Sequence, residues 1–246
     1  AEGKLTVHLV GTAGIPANAH VVIDVFGWFS TSASGDFGAR MVPVTPGRIF
    51  DTRDGTNYAQ PGQPLGQQQS VVVPVRGVTS VDPLVQDKVP DSPDVVGVVL
   101  NMAGVNDTAG STSTHLSVVP SLAAGQVPST ANLNLRPGQI KSNMVVVPVD
   151  PATGTITVFN NQGRTHVVLD VVGYLVANQD PTTNAGRVVP LAAPFRVFDT
   201  REASFGSVAL PPGTAEDWSF AEFAASVNID GTPVGAVMGF CNMVAR

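Results

Sequence analysis

Two Asp-Thr-Arg triplets, residues 51–53 and 199–201, are the sharpest polar signals in the sequence. Each follows a short apolar run, so its carboxylate and guanidinium are expected at the end of a strand. There the aspartate could ligate a metal ion and the arginine could clamp a ligand, or the arginine could bond a carboxylate while the aspartate caps a turn. We favour the structural role, and the triplet residues Asp51, Arg53, Asp199 and Arg201 are candidates for structural ion pairs.

Two more aspartates, Asp24 and Asp170, stand inside valine-rich runs. A carboxylate among apolar neighbours is costly unless it is paired, so we expect each to bind the arginine of a triplet. His20 and His166 precede these aspartates by four residues. On a strand, that spacing puts the histidine and the aspartate about 13 Å apart, which is too far for a catalytic dyad or a shared metal ion.

Motifs for catalysis and cofactor binding are missing from the sequence. It contains no Gly-x-Ser-x-Gly, His-Glu-x-x-His or Cys-x-x-Cys pattern and no glycine-rich phosphate loop between a strand and a helix. We therefore predict no catalytic residue, no metal ligand and no cofactor, and a protein that is not an enzyme. Paired carboxylates for glycoside hydrolysis remain open, because their separation in space is not given by sequence.

Two aromatic residues, Trp28 and Tyr174, follow equivalent valine-rich runs. If exposed, their rings could stack on sugars or join an interface, and if buried they would close a hydrophobic core. The aliphatic surroundings favour the core, and an interface or glycan-stacking role is the alternative.

The elements that carry these residues are predicted to be strands. Valine and threonine recur with a period of two, as in residues 70–76 and 155–159, and 25 glycines and 20 prolines fall between such runs as turn residues. Helix-like patterns are confined to residues 221–227 and a turn at 81–89. The predicted fold class is all-β, with tandem antiparallel β-sandwich units of jelly-roll or immunoglobulin-like type.

The sequence also repeats itself with a period of roughly 147 residues, a domain-sized length. The run from His20 to Phe29 returns as the run from His166 to Leu175, and the first Asp-Thr-Arg triplet returns as the second. This phase predicts that residues 1–30 are the C-terminal part of one unit, 31–178 are one complete sandwich, and 179–246 are the N-terminal half of another. Half-units expose an apolar face, so we expect strands from the same chain or a neighbouring one to complete them.

The motif blocks at residues 48–53, 131–139, 142–148 and 166–174 resemble a repeat found in large secreted and cell-surface proteins of actinobacteria and related bacteria. The resemblance covers essentially the whole chain and implies a modular, extracellular protein. It implies no particular chemistry. Cys241 departs from the pattern, since it stands where the complete unit has Leu100.

Charge and composition narrow the function further. The net charge of −6, with three lysines and scattered arginines, argues against nucleic acid as a partner. No apolar run approaches the ~18–20 residues that span a membrane, and one cysteine allows no intrachain disulfide.

We therefore predict a structural or assembly module of a filament, surface-layer or adhesin-like protein outside the cell. It would associate with neighbouring copies or repeat units. The alternatives are a carbohydrate-binding module for cell-wall glycan and a phage virion surface or tail protein.

Overall fold

The computed structural model describes residues 39–81, 89–106 and 112–177. All of them belong to the first of the two units, Ala1–Gly186 and Arg187–Arg246, into which the chain divides. This described part contains eight β-strands and no helix, which confirms the all-β prediction there. The helix-like pattern at 221–227 and most of the one at 81–89 lie outside the described residues.

The eight strands form two four-stranded antiparallel sheets. The first has the order β1-β8-β3-β6 and the second the order β2-β7-β4-β5. The strand bounds are β1 (Ala39–Asp51), β2 (Gln69–Pro74), β3 (Val95–Asn106), β4 (Thr114–Val119), β5 (Leu133–Leu135), β6 (Gln139–Pro148), β7 (Thr155–Asn160) and β8 (His166–Ala177).

The pairing of the strands is nested. The first strand pairs with the last, β2 pairs with β7, β3 with β6 and β4 with β5. Eight strands in this order match the jelly-roll alternative of the prediction. The immunoglobulin-like order does not fit, because it places the first and last strands in different sheets.

The two sheets pack face to face around one apolar core. Val98, Leu100 and Met102 of β3 belong to the same buried cluster as Leu116 of β4 and Val158 of β7. Where the strands are regular, alternate residues point inwards, as a half-buried strand requires. The valine-rich sequence therefore forms a sandwich because each strand has one face that only the opposite sheet can cover.

Gly104 on β3 lies where the leucines of the opposite sheet come close to the β3 backbone. A Cβ atom there would collide with Leu135 and would lie 3.0 Å from Leu116 Cδ1 and 3.2 Å from Leu133 Cδ2. The leucines of β4 and β5 thus fill the space that any side chain at position 104 would need. The φ angle of Gly104 is not in the left-handed region, so backbone conformation does not require glycine here. The requirement comes from packing alone.

The prolines within the described strands all lie on edge strands, where a missing N–H is least unfavourable. Pro43 and Pro46 belong to β1, Pro74 ends β2 and Pro148 ends β6, and all three strands are at sheet edges. β1 is further interrupted by register shifts between Pro43 and Gly47 and between Arg48 and Phe50.

Candidate functional site

A cluster of charged side chains lies at the end of β1. Asp51 is buried, and both of its carboxylate oxygens accept hydrogen bonds. Oδ1 accepts the backbone N–H of Arg53 at 2.8 Å and its Nε–H at 3.0 Å. Oδ2 accepts from Nη2 of Arg53 at 2.8 Å and from Nη1 of Arg48 at 3.1 Å. The aspartate and the arginine of this triplet therefore bind each other.

Asp170 joins the same cluster through a different arginine. Its Oδ1 atom accepts a hydrogen bond of 3.0 Å from Nε of Arg48, whereas the sequence suggested Arg53 as its partner. The reason is register, since Arg48 lies directly opposite Asp170 in the β1–β8 ladder. Arg53 lies beyond the end of β1, where the adjacent Asp51 is within reach of its fork.

The electrostatics of the cluster favour the ionised aspartate. Burial alone would raise the pKa of Asp51, but the hydrogen bonds from Arg53 and the charges of Arg53 and Arg48 outweigh it, and the net pKa is lowered. The hydrogen bond to Asp51 in turn raises the pKa of Arg53. A carboxylate with both oxygens occupied and a lowered pKa is poorly suited to act as a general acid or to take a metal ion.

Thr52, the middle residue of the triplet, ties β1 to the start of β8. It is buried, and its Oγ1 accepts the N–H of Val167 at 3.0 Å while lying 2.9 Å from Nδ1 of His166. Its own backbone N–H donates to the carbonyl of Val167 at 3.1 Å. All three residues of the triplet thus have structural contacts at one corner of the sandwich.

An open depression of about 630 Å³ adjoins the cluster on the outer face of the first sheet. Three of its polar residues, Arg48, Asp170 and Asn101, form a row across β1, β8 and β3. The remaining lining residues are Pro46, Gly47, Asp54, Val81 and Val172. This surface offers hydrogen-bond donors and acceptors to a polar ligand. In the described ranges, no three His, Cys, Asp or Glu side chains are placed to hold a metal ion.

Tyr174 does not provide an exposed aromatic platform. It is partly buried and packs against the core, directly across the β3–β8 ladder from Val98, which points inwards. The other residues named from the sequence as pairing or stacking candidates lie outside the described residues: Asp24, Trp28, Asp199 and Arg201.

The open side of β6, which we call the β6 edge, is a second candidate site. The backbone N–H of Val149, just beyond β6, donates to Val96 O at 3.1 Å. The backbone N–H and C=O groups of the odd-numbered residues of β6 therefore point towards β3. The N–H groups of Ile140, Ser142, Met144 and Val146 consequently point to the open side, where none of the described strands lies beside β6.

The side chains of the same four residues lie on the outer face of the sheet, and three of them are apolar. Ile140 is 65% exposed, Met144 49% and Val146 37%. Together these three side chains form an exposed apolar stripe on the outer face of β6.

Sequence reasoning missed a set of buried asparagines that hold the loops. Nδ2 of Asn160 donates to the carbonyls of Leu65 at 2.9 Å and Gly66 at 3.0 Å, and its Oδ1 accepts from Thr114 Oγ1 at 2.8 Å. Asn106 is buried in a similar way at the end of β3. The available signal was an asparagine directly after an apolar run in both places.

In the part that the structure describes, no helix is long and apolar enough to cross a membrane.

Comparison with known proteins gives no family for the chain. No protein-family model matches the chain, and no curated protein matches it significantly.

Proposed function

We propose that the chain is a structural and assembly module of a secreted or cell-surface repeat protein, of the filament, surface-layer or adhesin type. In this proposal the module associates by strand complementation with neighbouring copies or repeat units. The observation that carries it is the β6 edge, a long open strand with an apolar outer stripe.

The other edge strands differ from β6 in ways that discourage pairing. Short length, proline and bulges all blunt a sheet edge. β5 has three residues, β2 ends in Pro74, and β1 contains two prolines and two register shifts. In β6, Lys141 and Pro148 lie near the ends, and the stretch 142–147 contains no charge and no proline.

The repeat in the sequence supports the same proposal. The stretches 1–30 and 179–246, which lie outside the described residues, match parts of the complete unit. An open edge such as that of β6 can accept a strand from another repeat unit or another copy. Export from the cell rests on the resemblance to secreted repeat proteins and on the low charge.

The test is the oligomeric state of this chain over a range of concentrations. Size-exclusion chromatography with light scattering should show association that increases with concentration, and negative-stain microscopy should show the assemblies. A chain that remains monomeric at every concentration would overturn the assembly function.

A second candidate function is carbohydrate binding at the depression beside Asp170. Arg48, Asp170 and Asn101 offer the mixed donors and acceptors that sugar hydroxyls require. The test is retention on insoluble cell-wall polysaccharide, compared between the natural chain and the Asn101→Ala variant. Equal retention, or none for either protein, would contradict a sugar site at this depression.

A further inference from the structure

We propose that the β6 edge pairs with the β6 edge of a second copy of this chain, antiparallel, around a two-fold axis that passes beside Asn143. This rests on the proposed assembly function and names the partner and the register. The contact would be isologous, because the same strand is used on both sides.

The backbone groups fit this arrangement. In an antiparallel ladder, residues whose N–H and C=O groups point to the same edge pair with each other. With Asn143 on the axis, Ile140 pairs with Val146 of the second copy, and Ser142 pairs with Met144 of the second copy. Every one of the four open N–H groups of each strand then reaches a carbonyl.

The side chains fit the same register. Ile140 and Val146 are opposite each other twice, once on each side of the axis, and cross-strand apolar pairs of this kind stabilise a sheet. Moving the axis one residue towards the C-terminal end would place Ile140 opposite Pro148. Moving it one residue the other way would place Val146 opposite Gly138, which is in a turn with φ of +74°. The shifted registers would still bring some apolar side chains together, but only the central register pairs all four open residues of each strand with one another.

The charge on the strand is also tolerated. Lys141 and the buried Val145 each lie two residues from Asn143. The axis therefore places Lys141 opposite Val145 of the second copy and not opposite another lysine. The two Lys141 residues are four positions apart along the ladder, about 13 Å at ~3.3 Å per residue. That exceeds the screening length of about 8 Å at physiological salt, so the like charges repel weakly.

The pairing would join the first sheets of two copies into one sheet with the order β1-β8-β3-β6-β6-β3-β8-β1. The pairing occupies the β6 edge of both copies. A third copy therefore cannot add at this edge, and each contact joins two copies in a closed pair. In an array with several such units, closed pairs between different chains would act as cross-links.

A cysteine placed on the axis tests the register directly. Asn143 would lie in a non-hydrogen-bonded pair, where Cα atoms are about 4.5 Å apart and a disulfide can form. We expect the Asn143→Cys variant, in a Cys241→Ser background, to form a cross-linked dimer on mild oxidation. The control is Ser142→Cys in the same background, whose two copies would be diagonal neighbours about 7–8 Å apart, too far for a disulfide.

A charge on the outer stripe tests the interface without a cysteine. The Met144→Lys variant should weaken association by roughly tenfold or more, since edge lysines oppose pairing. Val72→Lys is the matched control, because Val72 is an exposed valine (61%) on β2 of the other sheet. Circular dichroism of each variant confirms that the sandwich still folds.

The outcomes separate the two proposals. Cross-linking at position 143 but not at 142, with association lost in Met144→Lys only, supports the pairing. Oligomers that persist in Met144→Lys and do not cross-link at 143 would overturn it and leave assembly through another surface. A natural chain that never associates would overturn the assembly function and this pairing together.

Discussion

Arg48 and Asp170 lie directly opposite each other in the β1–β8 ladder, with Arg48 Nε 3.0 Å from Asp170 Oδ1. Nη1 of the same arginine donates to the buried Asp51. The Arg48 guanidinium thus joins the carboxylate of Asp170 on β8 to the carboxylate of Asp51 at the end of β1. The cluster holds the corner where β1 and β8 meet, and its loss should lower the free energy of unfolding of the whole unit.

Asp51→Asn should lower the free energy of unfolding by about 2 kcal/mol. The substitution leaves two arginines facing a neutral side chain, and breaking a buried ion pair is costly. The figure is below that of a fully buried pair because both arginine side chains are partly exposed. Urea unfolding measures it. The control is Asp54→Asn, whose carboxylate is exposed and accepts hydrogen bonds from the backbone N–H and the hydroxyl of Thr56. An equal loss of unfolding free energy in both variants would show that the buried cluster stabilises the fold no more than an exposed carboxylate does.

The pH dependence of stability should carry the signature of Asp51. Its pKa is lowered in the folded state from an ordinary value of 3.8, so the folded state binds the proton less readily than the unfolded state. The stability contribution is therefore complete above the ordinary pKa and is lost as the pH falls through the folded pKa.

Urea unfolding across the acidic range measures this effect, and the acid-side decline should be shallower in Asp51→Asn. Part of the decline should remain, because hydrogen bonds from Thr153 also lower the pKa of Asp150. Parallel pH curves for the two proteins would contradict the assignment to Asp51.

Gly104→Val should destabilise the sandwich by about 1–3 kcal/mol, because the new side chain must displace the leucines of β4 and β5. Thermal or urea unfolding measures the loss. Gly66→Ala is a suitable comparison, since its Cβ would meet only Gln69 Oε1, at an ordinary 3.4 Å, and no positive φ is required. If valine at 104 is as harmless as alanine at 66, the two sheets are less tightly packed at this point than the structure indicates.

Asn160→Ala should cost about 2–4 kcal/mol, because it removes a fully buried carboxamide and leaves the carbonyls of Leu65 and Gly66 without its hydrogen bonds. The matched variant is Asn134→Ala on β5, where the asparagine is exposed and the expected change is small. Urea unfolding of both proteins gives the comparison. A similar result at the two positions would mean that Asn160 is not needed to hold its loop.

Much of the fold followed from sequence periodicity. The alternating runs at 70–76 and 155–159 correspond to β2 and β7, and the glycines and prolines mark the turns and edges. Such patterns report which residues face inwards, because burial on one face repeats every second residue. They do not report which strand lies beside which, and the partner of Asp170 depended on that register.

Tyr174 shows a second limit of periodicity. It lies four residues after Asp170, so a regular strand would place both side chains on one face. A register shift in the β3–β8 ladder between Val99 and Leu100 places them on opposite faces. Asp170 points outwards beside Arg48, while Tyr174 points inwards beside Val98. Bulges of this kind arise from tertiary pairing and leave little trace in a single sequence.

The pairing of Ala39 with Ala177 has a mechanical consequence. Ala39 and Ala177 are paired residues of adjacent antiparallel strands, so a pull on these two points loads the β1–β8 hydrogen bonds one after another. Bonds broken in sequence resist less force than bonds sheared together. Once β1 peels away, the unit can release the chain between Ala39 and Ala177, roughly 460 Å at ~3.3 Å per residue. A tether built from such units would yield under load by lengthening.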